Sequence, residues 1–211
     1  MNKNKIETTL KARLDKFSED KGYTRNRYRT SELVYCLRKA YIQRKYNILT
    51  SLNKFLIQGL LMHDKFPDFA KGLPWFRKAR YEVKCNTKHE GFEISGRADI
   101  VTKTTIYELK HAKIRDSDLC PAQYALQANA YANALKKKKW RVIVIDNNNL
   151  NIKIFEDHAS TSEYKLFLGR AKQLHEALEN NGKVPDGPDF EWECWFCDQR
   201  IKEICNKKLV R

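Results

Sequence analysis

The stretch "GRADIVTKTTIYELK", residues 96–110, decides how the rest of the chain is read. It has the β-branched and alternating texture of two short strands joined at VTKTT, yet Asp99, Glu108 and Lys110 lie inside the strand-like runs. Side chains alternate along a strand, so Glu108 and Lys110 share one face of IYELK while Tyr107 and Leu109 take the other. A hairpin through VTKTT returns the chain so that Glu108 approaches Asp99. Two carboxylates brought together repel unless a cation sits between them, and a hard divalent ion with oxygen ligands, Mg²⁺ or Mn²⁺, relieves the repulsion. Lys110 beside that ion can offset charge developing on a phosphate or orient a water, which suits phosphodiester hydrolysis. An ordinary cross-strand ion pair between Lys110 and an acid is the plain alternative.

Working outward, ARYEVKCN (79–86), GFEISGRADIV (91–101) and TTIYELK (104–110) predict a three-strand meander. Residues 118–137 read as a helix, WRVIVID (140–146) as a buried strand, NIKIFED (151–157) as another, and 160–180 as a long amphipathic helix. Upstream, 5–20, 31–47 and 51–70 have helical apolar spacing, and the second of these opens at TSEL, where Thr30 or Ser31 can cap. NNGKVPDGPDF (180–190) breaks the pattern with turn-forming residues. The expected fold class is α/β: a mixed central β-sheet flanked by helices, in one domain spanning 1–211. A helical part (1–75) precedes the core (76–180), and a cysteine-bearing segment (181–211) follows it.

In PAQYALQANAYANAL, Gln127 and Tyr131 are four apart and share a helix face, with Gln123 one turn earlier. These are polar residues at a helix edge or parts of a site. His63, in GLLMHDKF, lies on a largely apolar helix as either a structural histidine or a ligand. The chain has 41 Lys and Arg against 26 Asp and Glu, a net charge of +15. That excess attracts polyanions at long range, with a solubilising lysine surface as the simpler reading. No run approaches the roughly 18–20 apolar residues of a membrane span, and MNKNKIETTLKARL lacks the apolar core of a signal peptide. The expectation is a cytoplasmic protein with no membrane partner.

Of the six cysteines, Cys194-x-x-Cys197 and Cys205 cluster near the end of the chain. Cys-x-x-Cys lets two thiolates reach one metal from a single turn, and three thiolates call for a fourth ligand, for which Cys36 is the best candidate.

Taken in order, Gly59-x-x-x-His63, Gly96-Arg97-Ala98-Asp99, Glu108-Leu109-Lys110 and Gln127-x-x-x-Tyr131 resemble the RecB-type branch of the PD-(D/E)XK nuclease superfamily. The resemblance implies a PD-(D/E)XK nuclease-like core in which His63, Asp99, Glu108 and the Leu109 carbonyl ligate the metal. It implies further that Lys110 serves the attacking water and that Gln127 and Tyr131 hold substrate or brace Lys110. Arg97 and Gln123 are assigned to DNA contact, Arg97 alternatively to a structural role. One cysteine upstream of these motifs and three downstream resemble the iron–sulfur staple of the CRISPR-associated Cas-four nucleases. Four-cysteine ligation by Cys36, Cys194, Cys197 and Cys205 suits a 4Fe–4S cluster, with zinc as the rival. CLRK stands where that family commonly has Cys-Pro-Arg. Cys85 and Cys120 match no family ligand and are expected to be free core thiols, while Trp192, Trp195 and Phe196 are expected to shield the cluster.

The expectation for function is a metal-dependent deoxyribonuclease, exonuclease or single-strand endonuclease. It would act on single-stranded or end-containing DNA, in CRISPR adaptation beside integrase proteins or in viral DNA replication or recombination. No G-x-x-x-x-G-K-[ST] motif is present, so unwinding would come from elsewhere. The competing class is a non-catalytic DNA-binding subunit with a vestigial acidic site.

Overall fold

A computed structural model describes residues 8, 22–49, 54–114, 119–180 and 182–206. The first described strand, β1 (Arg27–Arg29), runs into two helices, α1 (Thr30–Val34) and α2 (Leu37–Lys45). Then come α3 (Lys54–Lys71), a 3-10 turn (Pro74–Phe76), and strands β2 (Arg80–His89), β3 (Phe92–Val101) and β4 (Thr105–His111). Helix α4 (Ala122–Ala134) crosses to β5 (Lys139–Ile145), which turns back as β6 (Ile152–His158). The chain finishes with α5 (Thr161–Glu179), α6 (Trp192–Trp195) and α7 (Gln199–Asn206).

The strands make one mixed sheet in the order β1-β3-β4-β5-β6, with β2 along the other edge of β3. The β2–β3 and β5–β6 pairs are antiparallel hairpins, and β4–β5 is parallel because α4 carries the chain across. The β3 edge opposite β2 is divided between two partners. β1 pairs in parallel with Glu93–Ser95, and β4 pairs antiparallel only at Ile100↔Tyr107 and Val101↔Ile106. Between these contacts β3 and β4 part, and the sheet opens as a fork at Asp99 and Glu108.

Both faces of the sheet are covered, and this explains the uninterrupted apolar run of β5. On one face Ala128, Tyr131 and Ala132 of α4 pack on Ala98, Ile106, Val142 and Val144. On the other, Ala70 of α3 and Phe76 pack on Ile100, Leu109, Ile143 and Ile145. A third cluster joins Tyr28, Leu33, Ile42, Phe92, Phe167, Leu174 and Ile201, so it draws the first and last helices together.

The structure corrects the expected helix over 31–47, which is two helices. Tyr35 is extended (φ −109°, ψ −165°), and Cys36 starts α2 by accepting the Lys39 N–H on its sulfur at 3.4 Å. Arg170 of α5 donates to the Leu33 and Tyr35 carbonyls, both at 2.6 Å, and so satisfies acceptors that a helix break leaves open. Arg44 braces the same corner, donating to Glu32 Oε2 at 2.6 Å and to the Arg27 carbonyl at 2.7 Å while its guanidinium lies 4.6 Å from the Tyr28 ring centroid. The helix expected over 118–137 is confined to Ala122–Ala134, because Pro121 caps its start and Lys136 adopts φ +53° at its end. Strand β1 was not expected, and the helix expected over 5–20 lies outside the described residues. Among the described residues no helix is long and apolar enough to cross a membrane.

Candidate active site

The fork assembles the side chains of four elements, β3, α3, β4 and α4. Asp99 leaves the end of β3, where Oδ2 accepts the Leu109 N–H at 2.6 Å and Oδ1 lies 3.0 Å from His63 Nδ1 on α3. The Leu109 N–H lies where β3 and β4 no longer pair, so a carboxylate takes the place of a strand carbonyl. On β4, Glu108 Oε1 accepts from Lys110 Nζ at 2.9 Å and from Gln127 Nε2 at 2.8 Å. Gln127 Oε1 accepts from Lys110 Nζ at 2.8 Å, and Gln127 Nε2 also donates to the Tyr131 hydroxyl at 3.1 Å. Gln127 and Tyr131 lie one turn apart on α4, so one helix face braces the Glu108–Lys110 pair. Gln123, one turn earlier, is buried.

Gly96 makes this approach possible. A Cβ there would stand 2.5 Å from Tyr131 Cε1 and 2.6 Å from Thr30 Oγ1, so only glycine admits both helices against β3.

Glu108 is 2 % exposed. Burial, and then the negative charge of Asp99, raise its carboxyl to about 7 against the opposing pull of Lys110. Its Oε2 is buried and has no hydrogen-bond partner among the described residues, which is costly for a carboxylate oxygen unless an ion or water takes it. Burial works against the charged form of Lys110, but Glu108, Tyr35 and Asp99 outweigh it and hold the ammonium protonated. Burial likewise lowers the His63 imidazole, and the Asp99 hydrogen bond and charge more than reverse that.

Arg97 stands beside Asp99 on β3 with its side chain largely exposed, and its Nε lies 2.6 Å from Glu82 Oε2. Sequence reasoning missed Glu82. A nitrogen of His63 and carboxylate oxygens of Glu82 and Asp99 all lie within 4.8 Å of one another. The donor set, one imidazole with carboxylates, and the orphaned Glu108 oxygen fit a divalent cation. The signal available in sequence was an acid on β2 in the register that faces Asp99.

The four cysteines assigned to a cluster lie in neighbouring segments. The Cys36 N–H donates to Glu193 Oε2 of α6 at 2.7 Å, and Cys197 and Cys205 pack on the core that holds α1 and α2. Burial pushes the Cys36 thiol up to about 11 and raises Cys197. Among the described residues no three cysteine sulfurs lie within 4.8 Å of one another. Trp195 and Phe196 beside them are largely exposed. Cys85 is buried in the core and Cys120 only partly so.

No protein-family model and no curated protein matches the chain. Solved structures share its fold. SSO0001 is similar over 94 % of both chains at 22 % identity, with a TM-score of 0.72. LHK-Exo, an alkaline exonuclease of Laribacter hongkongensis solved in complex with dAMP, is similar over 74 % of this chain and 89 % of its own, at 10 % identity and a TM-score of 0.53.

Proposed function

We propose that this chain is a metal-dependent deoxyribonuclease that hydrolyses single-stranded DNA or DNA ends, with Mg²⁺ or Mn²⁺ held by His63, Asp99, Glu108 and the Leu109 carbonyl. The observation that carries the reading is the buried Glu108 carboxylate, whose Oε1 is fixed by Lys110 and Gln127 while Oε2 is left without a partner among the described residues. The fold it shares with an alkaline exonuclease supports the same reading.

When bound, the ion would supply Lewis-acid polarisation of the phosphate and a more acidic water. The residues of the chain divide the remaining work. Asp99 is preset by the Leu109 N–H and so needs no reorganisation. Lys110 is held as an ammonium between Glu108 and Gln127, which makes it a hydrogen-bond donor to phosphate or to the attacking water. Gln127 and Tyr131 brace Lys110, and the +15 net charge draws the DNA backbone in. Cys36, Cys194, Cys197 and Cys205 hold a 4Fe–4S cluster in this proposal, four thiolates being the ligand set such a cluster takes. Prespacer trimming beside an integrase, and processing of viral or mobile-element DNA, are the settings the sequence resemblance points to.

Cleavage of end-labelled single strands with Mg²⁺ or Mn²⁺ tests the proposal. Asp99→Ala, Glu108→Ala and Lys110→Ala should each lower the rate by about 10² or more, the scale of losing one charge-stabilising group, with DNA binding retained. Wild-type rates in any of the three overturn the assignment. DNA binding by a wild type that never cleaves favours the non-catalytic alternative.

A further inference from the structure

Glu82 lies on β2 in the register facing Asp99, where Tyr81 pairs with Ile100 and Val83 with Ala98 while Glu82 itself drops out of the ladder. Its backbone is left-handed, φ +52°, at the third residue of a ten-residue strand. A non-glycine residue keeps that conformation only when its surroundings over-determine it. What surrounds it is the acidic side of the fork: His63, Glu82 and Asp99 each offer a donor atom, and these atoms lie within 4.8 Å of one another. A second observation concerns the neighbouring acid on β4: Glu108 Oε2 is fully buried with no partner among the described residues. Three carboxylates around one imidazole repel, and side-chain cations offset that repulsion: Lys110 Nζ meets Glu108 Oε1 at 2.9 Å, and Arg97 Nε meets Glu82 Oε2 at 2.6 Å from a largely solvent-exposed position.

We propose that Glu82 is a further ligand of the divalent ion, and that Arg97 is the counter-ion from which the metal takes it. This rests on the reading of the fork as a metal site and adds one donor that the sequence motifs do not include. A set of one imidazole and several carboxylates suits Mn²⁺ better than Mg²⁺, because an imidazole donor gains more from the softer, more strongly bound ion. Metal and guanidinium compete for one carboxylate. Loading the site therefore frees Arg97 at the rim of the fork, where a DNA phosphate can take the place of Glu82 as its partner.

The experiment is Mn²⁺ binding to the full chain without DNA, followed by the electron paramagnetic resonance of the free ion, in wild type, Glu82→Gln, Glu82→Asp, Arg97→Gln and Asp99→Asn. Glu82→Gln should weaken binding about tenfold or more, within the range seen when a metal site loses a supporting group, and Glu82→Asp should recover part of the loss. Arg97→Gln should tighten binding several-fold when Glu82 is present and much less in the Glu82→Gln background, a readout that a purely structural ion pair would not produce. If Glu82→Gln binds Mn²⁺ as wild type does while Asp99→Asn does not, Glu82 is no ligand and the metal site stands. If wild type binds no Mn²⁺, the metal reading falls and takes this inference with it. Should circular dichroism show that Glu82→Gln is unfolded, Arg97→Gln alone decides: tighter binding supports the competition, and unchanged binding overturns it.

Discussion

Gly96→Ala adds one methyl group where the structure has no room for it. The new Cβ would stand 2.5 Å from Tyr131 Cε1, 2.6 Å from Thr30 Oγ1 and 2.9 Å from the Tyr131 hydroxyl oxygen. Ordinary contacts between heavy atoms fall at about 3.5–4.0 Å, so the neighbours must retreat by roughly 1 Å. Neither retreats easily. Tyr131 is buried and tied to Gln127 at 3.1 Å, and Thr30 is buried and donates to the Ser95 carbonyl at 3.3 Å. Overpacking of this kind costs about 1–3 kcal/mol, and loss of the Tyr131–Gln127 hydrogen bond adds about 1 kcal/mol. Reduced freedom of the unfolded chain returns about 0.4–1 kcal/mol. The net cost is about 1–3 kcal/mol, which for a chain of this size lowers Tm by about 2–12 °C. Because Gln127 positions both Glu108 and Lys110, the same shift should reduce cleavage, by up to about 10²-fold for a displacement of 1 Å. Thermal unfolding by circular dichroism and single-turnover cleavage measure the two effects. A variant that melts within about 1 °C of wild type and cleaves at the wild-type rate refutes the close approach of α4 to β3, and with it the account of why this position is glycine.

Arg44→Lys should destabilise the protein by about 2–4 kcal/mol in urea unfolding, because lysine cannot meet Glu32 and the Arg27 carbonyl together and leaves a nearly buried carboxylate poorly paired. Mn²⁺ affinity should rise with pH through about 7 and flatten only once His63 is neutral as well: the raised Glu108 carboxyl and the raised His63 imidazole each hold a proton that the ion must displace, and Glu108→Gln should lose part of the slope in calorimetric titrations from pH 5.5 to 8.5. Anaerobically purified protein should be brown with about four irons per chain. Cys36→Ser should lose colour and iron, whereas Cys85→Ser should keep both, and a colourless, iron-free wild type would remove the cluster from the account.

What the sequence makes legible here are the parts whose geometry is local. Alternation in IYELK places Glu108 and Lys110 on one face, and the four-residue spacing of Gln127 and Tyr131 sets them on one turn, and the structure joins all four in one network. Glu82 was legible only as an acid on one face of β2, because alternation leaves its register against Asp99 and its left-handed backbone open. Strand β1 is three residues long and two of them are arginines, so no periodicity could mark it. The break at Tyr35 and Cys36 was hidden because Arg170, which satisfies its carbonyls, lies more than 130 residues further along the chain. Cysteine spacing brought the four thiols into one reading, but spacing does not carry the distances between their sulfurs.

The divided edge of β3 has a kinetic side. Pairing of β2 with β3 closes a tight turn at Glu90 and Gly91, and β4 follows β3 directly, so these three strands can zip early. β1 must return across 93 − 27 = 66 residues to reach Glu93 and so arrives late. The register of Ile100↔Tyr107 and Val101↔Ile106, carried on, would pair Asp99 with Glu108 and Ala98 with Leu109. Such a hairpin would hand the Leu109 N–H to the ladder, strip Asp99 of its donor and shut the space the metal needs. In the folded sheet β1 holds Glu93–Ser95, and Thr30 and Tyr131 sit over Gly96, so the edge that a longer hairpin would claim is already divided. The first described strand, far from the acids in sequence, shares with β4 the edge of β3 along which Asp99 and Glu108 stay out of the ladder.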